Sequence, residues 1–162
     1  MAKQIYLGLD TSCYTTSVAA LDEEGKLLGE ARRILTVKQG NCGLMQSEMV
    51  FQPTRHLPEL VENVLKDKDY KLKGIAVSGF PRPLENSYMP AFLPGLSVAR
   101  SLAAATNAKL HIISHQENHL EAGVWSCGGP VAKKFLMLHA SGGTTDLILC
   151  EQLDNGRYQL IE

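Results

Sequence analysis

The stretch SHQENHLEAG, Ser114 to Gly123, places His115 and His119 four residues apart, directly after the apolar run KLHII. At that spacing two imidazoles share one face of a helix, where both can reach a single metal ion. A solvated surface helix has the same spacing, so the pair alone does not settle the matter. Zinc or iron needs at least a third ligand, commonly a carboxylate. His111 and His139 offer no spacing argument for that role, while Glu117 and Glu121 are candidates to support the ligands or to touch substrate. Gln116 stands where a zinc-protease helix would carry its glutamate base, which argues against peptidase chemistry by that route.

Two turns supply a second kind of chemistry. DTSCYTTS, residues 10 to 17, puts Asp10, Thr11, Ser12, Thr15 and Thr16 between two strand-like runs. Hydroxyls and free backbone N–H groups in such a turn can hold phosphate oxygens. ASGGTTDL, residues 140 to 147, repeats the arrangement with Ser141, Gly142, Gly143 and Thr144, the glycines letting the backbone approach a ligand closely. Either turn alone reads as an ordinary hairpin; at the same place in two meanders, they read as a pair that clamps phosphate.

The elements that must position these groups follow from periodicity. Residues 4 to 10, 15 to 21 and 27 to 35 read as three consecutive strands, an antiparallel meander. KQGNCGLMQSE is a loop, and PTRHLPELVENVLK sets Leu57, Leu60, Val61, Val64 and Leu65 on one helical face. GIAVSG, residues 74 to 79, is typical of a buried strand, and the proline-rich residues 80 to 95 form a loop. A small-residue helix, LSVARSLAAAT, leads to the strand KLHII and the histidine helix. KKFLMLHA, TTDLILCE and RYQLIE then form a second meander, which suggests an internal duplication. It leaves an apolar face bearing Phe135, Met137, Leu147 and Leu149, in whatever register the strands take, and exposed edges of this kind recruit partners, a second copy or a complex.

A chain of 162 residues is about one domain, and 44% hydrophobic content is enough to bury a core. The net charge of −1 gives the whole chain no electrostatic footprint for nucleic acid, so RNA contact requires a local patch or a partner. Cys13, Cys42, Cys127 and Cys150 form no CxxC pair, which argues against a zinc ribbon and for reduced thiols. The N-terminus lacks the layout of a signal peptide and no apolar run reaches ~18 residues, so the expectation is a cytoplasmic protein with no membrane partner.

Taken in order, these residues resemble the N-terminal half of the TsaD/Gcp family, tRNA N6-adenosine threonylcarbamoyltransferases once called O-sialoglycoprotein endopeptidases. LGLDTSCYTTSVA is similar to the family's opening strand and ETSCDET turn. HQENH matches HxEGH at both histidines and at Glu117, and LHASGGTTDLIL is similar to the SGGHT phosphate turn. The resemblance covers essentially the whole chain.

The resemblance implies an α/β fold, an actin-like ATPase (ribonuclease H-like) lobe with a mixed sheet flanked by helices. Residues 1 to 130 would be the first lobe, and 131 to 162 a meander beginning an incomplete second one. It implies transfer of a threonylcarbamoyl group from its adenylate to N6 of adenosine 37 in tRNA. A divalent metal, iron or zinc, would be held by His115 and His119, with Glu117 behind them and the third protein ligand outside this chain. Asp10, Thr11, Ser12, Ser141, Gly142, Gly143 and Thr144 would hold an adenine nucleotide or threonylcarbamoyl-adenylate. Implied partners are tRNA through a complex, TsaB- and TsaE-type proteins, and a C-terminal half; the expectation of a homodimer rests on the uncovered apolar face of the second meander. The departures are Tyr14 and Thr15 for the family's acidic pair, Thr144 for its histidine, and GFPRPLENSYMPAFLPG for a shorter Gly-Pro-Gly-Leu loop. They keep alternatives open: a noncatalytic TsaB-like scaffold, a divergent paralogue and, last, a metallo-glycoprotease.

Overall fold

The computed structural model describes residues 2–40, 43–66, 68–130, 132–140 and 145–161. β1 (Lys3–Asp10), β2 (Thr15–Leu21) and β3 (Leu27–Ile34) form the antiparallel meander expected from their alternation. β4 (Tyr70–Phe80) and β5 (Lys109–Ser114) add to the far edge of β1 in parallel, giving a mixed sheet in the order β3-β2-β1-β4-β5. Parallel neighbours need crossovers, and two helices supply them: α1 (Gln46–Leu65) and α2 (Leu93–Thr106).

The core lies between the sheet and these helices. Ile5, Leu7 and Leu9 of β1, Val18 and Ala20 of β2, and Ile75 and Val77 of β4 meet Leu57, Leu60 and Val64 of α1 and Ala99 of α2. The alternation along β1 ends with Asp10 at the buried C-terminal end of the strand. That end carries the site.

Two helix starts differ from the expectation. α1 begins at Gln46 and contains Pro53 and Pro58 instead of opening at Pro53. Each proline removes an intrahelical hydrogen bond, but Met49 and Pro53 lie buried on the same face as Leu57, Leu60 and Val64, and that burial holds the extra turns. Within the stretch read as loop up to residue 95, Pro90–Phe92 makes a short 3-10 turn and α2 starts at Leu93. Pro90 and Pro94 sit in first helical turns, where their missing N–H groups would have had no partner.

α3 (His115–Cys127) follows β5 without a gap. Ser114 caps it: its Oγ accepts from the Glu117 N–H at 3.1 Å, and the Glu117 carboxylate accepts from the Ser114 N–H at 2.8 Å. At its far end, Trp125 Nε1 donates to the Gly25 carbonyl in the β2–β3 turn. Between these ends, Asn118 borders a small cavity with Gly8, Ala19 and Ala76, which point away from the core-facing residues beside them in their strands. The helix thus lies on the face of the sheet opposite α1 and α2.

β6 (Lys134–Ala140), β7 (Thr145–Gln152) and β8 (Tyr158–Ile161) form a separate antiparallel sheet. Its register, left open by the sequence, divides the expected apolar residues between two faces. Phe135 pairs with Cys150, Met137 with Ile148 and His139 with Asp146, whereas Leu136 pairs with Leu149 and Leu138 with Leu147. Phe135 and Met137 therefore lie on one side, the half-buried one, and Leu147 and Leu149 on the other, where Leu136, Leu138 and Leu147 are each more than 60% exposed. Among the described residues, no helix is long and apolar enough to cross a membrane.

Candidate functional site

Asp10 is the hub. Its Oδ1 accepts the Ser12 N–H at 2.6 Å, and its Oδ2 accepts from Ser78 Oγ at 2.7 Å and Asn118 Nδ2 at 2.8 Å, and meets His115 Nδ1 at 3.0 Å. Three elements meet there because β1 and β4 end side by side and α3 begins beside them. Burial on its own would raise the Asp10 pKa, since it penalises the charged form. The hydrogen bond and charge of His115, with the Ser12 and Ser78 hydrogen bonds, outweigh that and hold the carboxyl well below the usual range.

A carboxylate on Nδ1 fixes His115 with its proton on that nitrogen and turns Nε2 outward. The outward atom meets His119 Nε2 at 2.9 Å, the two rings edge to face with centroids 4.3 Å apart. Partial burial lowers the His119 pKa, followed by the charges of His115 and then His139, with Asp10 opposing. His119 remains solvent-accessible, so the effect is a bias toward the neutral ring that a metal requires. Below the pair lies a cleft of about 370 Å³, lined among others by Ser12, Tyr14, Thr15 and Ala122. A larger cavity of about 550 Å³ lies between residues 82–84 and β7–β8. Its only titratable lining groups among the described residues, Arg82 and Asp146, pair with each other at 3.0 Å; His115 and His119 line the smaller cleft.

The other expected residues are distributed unevenly. Thr11 is fully buried and donates to the Ala91 carbonyl at 2.7 Å, tying the turn to the 3-10 segment. Thr16 points into the core, its Oγ1 without a partner among the described residues. Ser12 lines the cleft. Glu117 serves the helix cap, and none of its hydrogen bonds goes to a histidine. Ser141, Gly142, Gly143 and Thr144 lie outside the described residues. Cys13, left-handed at φ 48°, also lines the cleft, with burial and then the Asp10 charge pushing its thiol pKa up.

Two contributors lie beyond the sequence reading. Asn118 stands where HxEGH carries glycine, and that substitution is a usable signal for a side chain reaching back to Asp10. His139, on β6, lies with its ring centroid 5.0 Å from that of His119, a contact between residues twenty positions apart that no local pattern announces.

A tRNA N6-adenosine threonylcarbamoyltransferase from Thermus thermophilus is 30% identical over 155 residues, covering 96% of this chain and 46% of that protein. The enzyme of the same name from Carboxydothermus hydrogenoformans is 32% identical over 162 residues, covering 98% and 46%. The chain is a divergent relative of the tRNA N6-adenosine threonylcarbamoyltransferase family. It spans about half the length of the curated relatives it matches. No family model matches it.

Among solved structures, YeaZ from Pseudomonas aeruginosa superposes with a TM-score of 0.63 at 18% identity, covering 98% of this chain and 65% of that one. A ROK family glucokinase from Streptomyces griseus, in complex with glucose and AMPPNP, gives 0.53 at 11% identity, covering 97% and 46%. These likenesses carry the fold alone, an α/β lobe with a mixed sheet flanked by helices.

Proposed function

We propose that this chain supplies the first part of the site of a metal-dependent tRNA threonylcarbamoyladenosine-forming transferase, which moves a threonylcarbamoyl group from its adenylate to N6 of adenosine 37. The observation that carries the reading is the pair of Nε2 atoms, 2.9 Å apart above the Asp10 cleft, with His115 backed by a carboxylate. Backing of this kind sets the tautomer and basicity of a metal-binding histidine. The fit is partial: among the described residues, no three His, Cys, Asp or Glu side chains are grouped to hold a metal as they stand. Iron or zinc bound at the pair would orient the adenylate and act as a Lewis acid.

The chain's own residues would do the rest. Asp10, with four partners on it, orients His115 and has little capacity left for a nucleotide. Ser12 and the backbone of its turn face the cleft and would contact the adenylate, together with residues 141 to 144 as the family resemblance assigns them. Residues 1 to 130 would act as the first lobe and 131 to 162 as the start of a second. A net charge of −1 leaves tRNA to be recruited with partner proteins of the TsaB and TsaE type. The exposed outer face of β6–β8 is suited to a second copy or to a C-terminal half.

The test is elemental analysis of the purified protein beside a His115→Ala, His119→Ala double variant. Near-stoichiometric iron or zinc, lost in the variant, supports the reading and leads to a transfer assay with tRNA. A second reading, the noncatalytic TsaB-like scaffold, is favoured by Thr11 and Thr16, whose hydroxyls turn away from the cleft. Absence of metal from both proteins would select it.

A further inference from the structure

We infer that the open face of the larger sheet is a platform for unpaired nucleotides, on which a base of single-stranded RNA stacks on Tyr6 while its phosphates lie along Lys71, Lys73 and Lys109. The inference goes beyond the transferase reading and needs no metal. It supplies the local patch without which a chain of net charge −1 has no hold of its own on RNA. Ile5 and Leu7 point into the core, so Tyr6 between them points to the face opposite α1 and α2. Its pairing partner on β4 is Gly74, and a Cβ there would meet the Tyr6 ring at 3.0 and 3.3 Å. The ring therefore lies against the bare backbone of the next strand. At 43% exposure it keeps much of its surface in solvent, where a base can stack on it.

Cations border the ring. Lys109 pairs with Gly74 from the other side, and neighbouring strands are about 4.8 Å apart, so Lys109 stands just past Tyr6. Lys71 pairs with Gln4 on the same face, and Lys73 is the extra residue of the irregularity that separates this pairing from that of Tyr6. All three are exposed, and none is paired with an acid among the described residues. Asp69, just before β4, offsets part of their charge, while Asp22 is already held by Lys3 at 3.0 Å. Glu23 and Glu24, in the β2–β3 turn, confine the positive track to the β4–β5 side. A second open ring stands toward that turn: Trp125 is 52% exposed and is tied to the Gly25 carbonyl, just beyond Leu21, the partner of Tyr6 on β2. An acidic peptide would use the lysines and leave the rings idle. An unpaired nucleotide strand uses both, whereas a duplex keeps its bases stacked on one another.

The probe is a fluorescein-labelled oligouridine of about twelve nucleotides, titrated with the full chain and read by fluorescence anisotropy. We expect weak binding whose logarithm falls with log salt at a slope of about −2, about 0.7 for each of three phosphates. Tyr6→Leu should weaken it about fivefold or more and Tyr6→Phe by less than about twofold, while Lys71→Gln and Lys109→Gln should each make the slope shallower by about 0.7. No binding up to about 100 μM protein at about 50 mM salt, equal affinity for a duplex of the same length, equal affinity for an oligoglutamate competitor, or unchanged affinity in Tyr6→Leu overturns the inference. 4-Thiouridine placed in the probe, photocrosslinked to the wild-type chain and mapped by mass spectrometry, should mark the peptide containing Tyr6; adducts confined to other segments overturn it. The crosslink needs no variant, so a Tyr6 substitution that fails to fold does not shield the inference. Metal content is read separately, so failure here leaves the transferase reading standing.

Discussion

Replacing Asp10 with alanine removes the acceptor of four hydrogen bonds at a position 8% exposed. Ser78 is 1% exposed and Ser12 8%, so their donors lose their partner with little water to replace it, at about 1–3 kcal/mol each. His115 and Asn118 line the cleft and can be rehydrated, adding less. The expected destabilisation is about 2–4 kcal/mol. With a urea m-value of about 2 kcal/mol/M, the midpoint falls by about 1–2 M. Asp10→Asn keeps an oxygen for the Ser78, His115 and Asn118 side but sets an NH₂ against the Ser12 N–H, so it should cost about half as much. Because the folded state holds the Asp10 pKa below its unfolded value, the unfolded chain binds more protons in acid. The associated stability is complete above about pH 4 and is lost as pH falls below it. Asp10→Asn should flatten that part of the acid limb. A change below about 0.5 kcal/mol in Asp10→Ala, or equal losses in the two variants, would refute a network built on the carboxylate.

Ser114→Ala deletes the cap of α3 and should cost about 1–2 kcal/mol in chemical denaturation. Gly95→Ala and Gly123→Ala, both within helices, should move thermal stability in opposite directions. A Cβ at Gly95 would meet Thr11 Oγ1 at 3.0 Å, where Thr11 is buried and hydrogen-bonded, so overpacking of about 1 kcal/mol or more outweighs the helix-propensity gain. A Cβ at Gly123 meets nothing within 4 Å and should stabilise by about 0.5–1 kcal/mol. The face formed by Leu136, Leu138 and Leu147 should drive self-association at micromolar concentration, visible in light scattering and reduced by Leu138→Lys; a monodisperse wild-type monomer would count against it.

Much of the fold is legible because its signals are local. Alternation marks β1, β2 and β3, an unbroken apolar run marks the middle of β4, and Ser114 with Glu117 is a capping box readable at three-residue spacing. Local signals make α1 too short, because Pro53 reads as a helix start while its burial beside Met49 is a tertiary fact. The same limit governs the site. The pair His115 and His119 follows from helical spacing, and Asp10 from the turn that contains it. A hydroxyl's direction does not follow: Thr11 and Ser12 are adjacent in sequence, yet one binds the Ala91 carbonyl in the interior and the other lines the cleft. His139 reaches His119 through the docking of two sheets, which sequence distance does not encode.

That docking has a consequence for how the molecule opens. β6–β8 share no ladder with the larger sheet, and the ion pair that joins them to the 81–88 loop, Arg82 with Asp146, has its side chains 45% and 29% exposed, worth about 0–1 kcal/mol and screened by salt. The smaller sheet should therefore detach in fluctuations that leave β1 and β4 closed, with its amides exchanging hydrogen ahead of theirs.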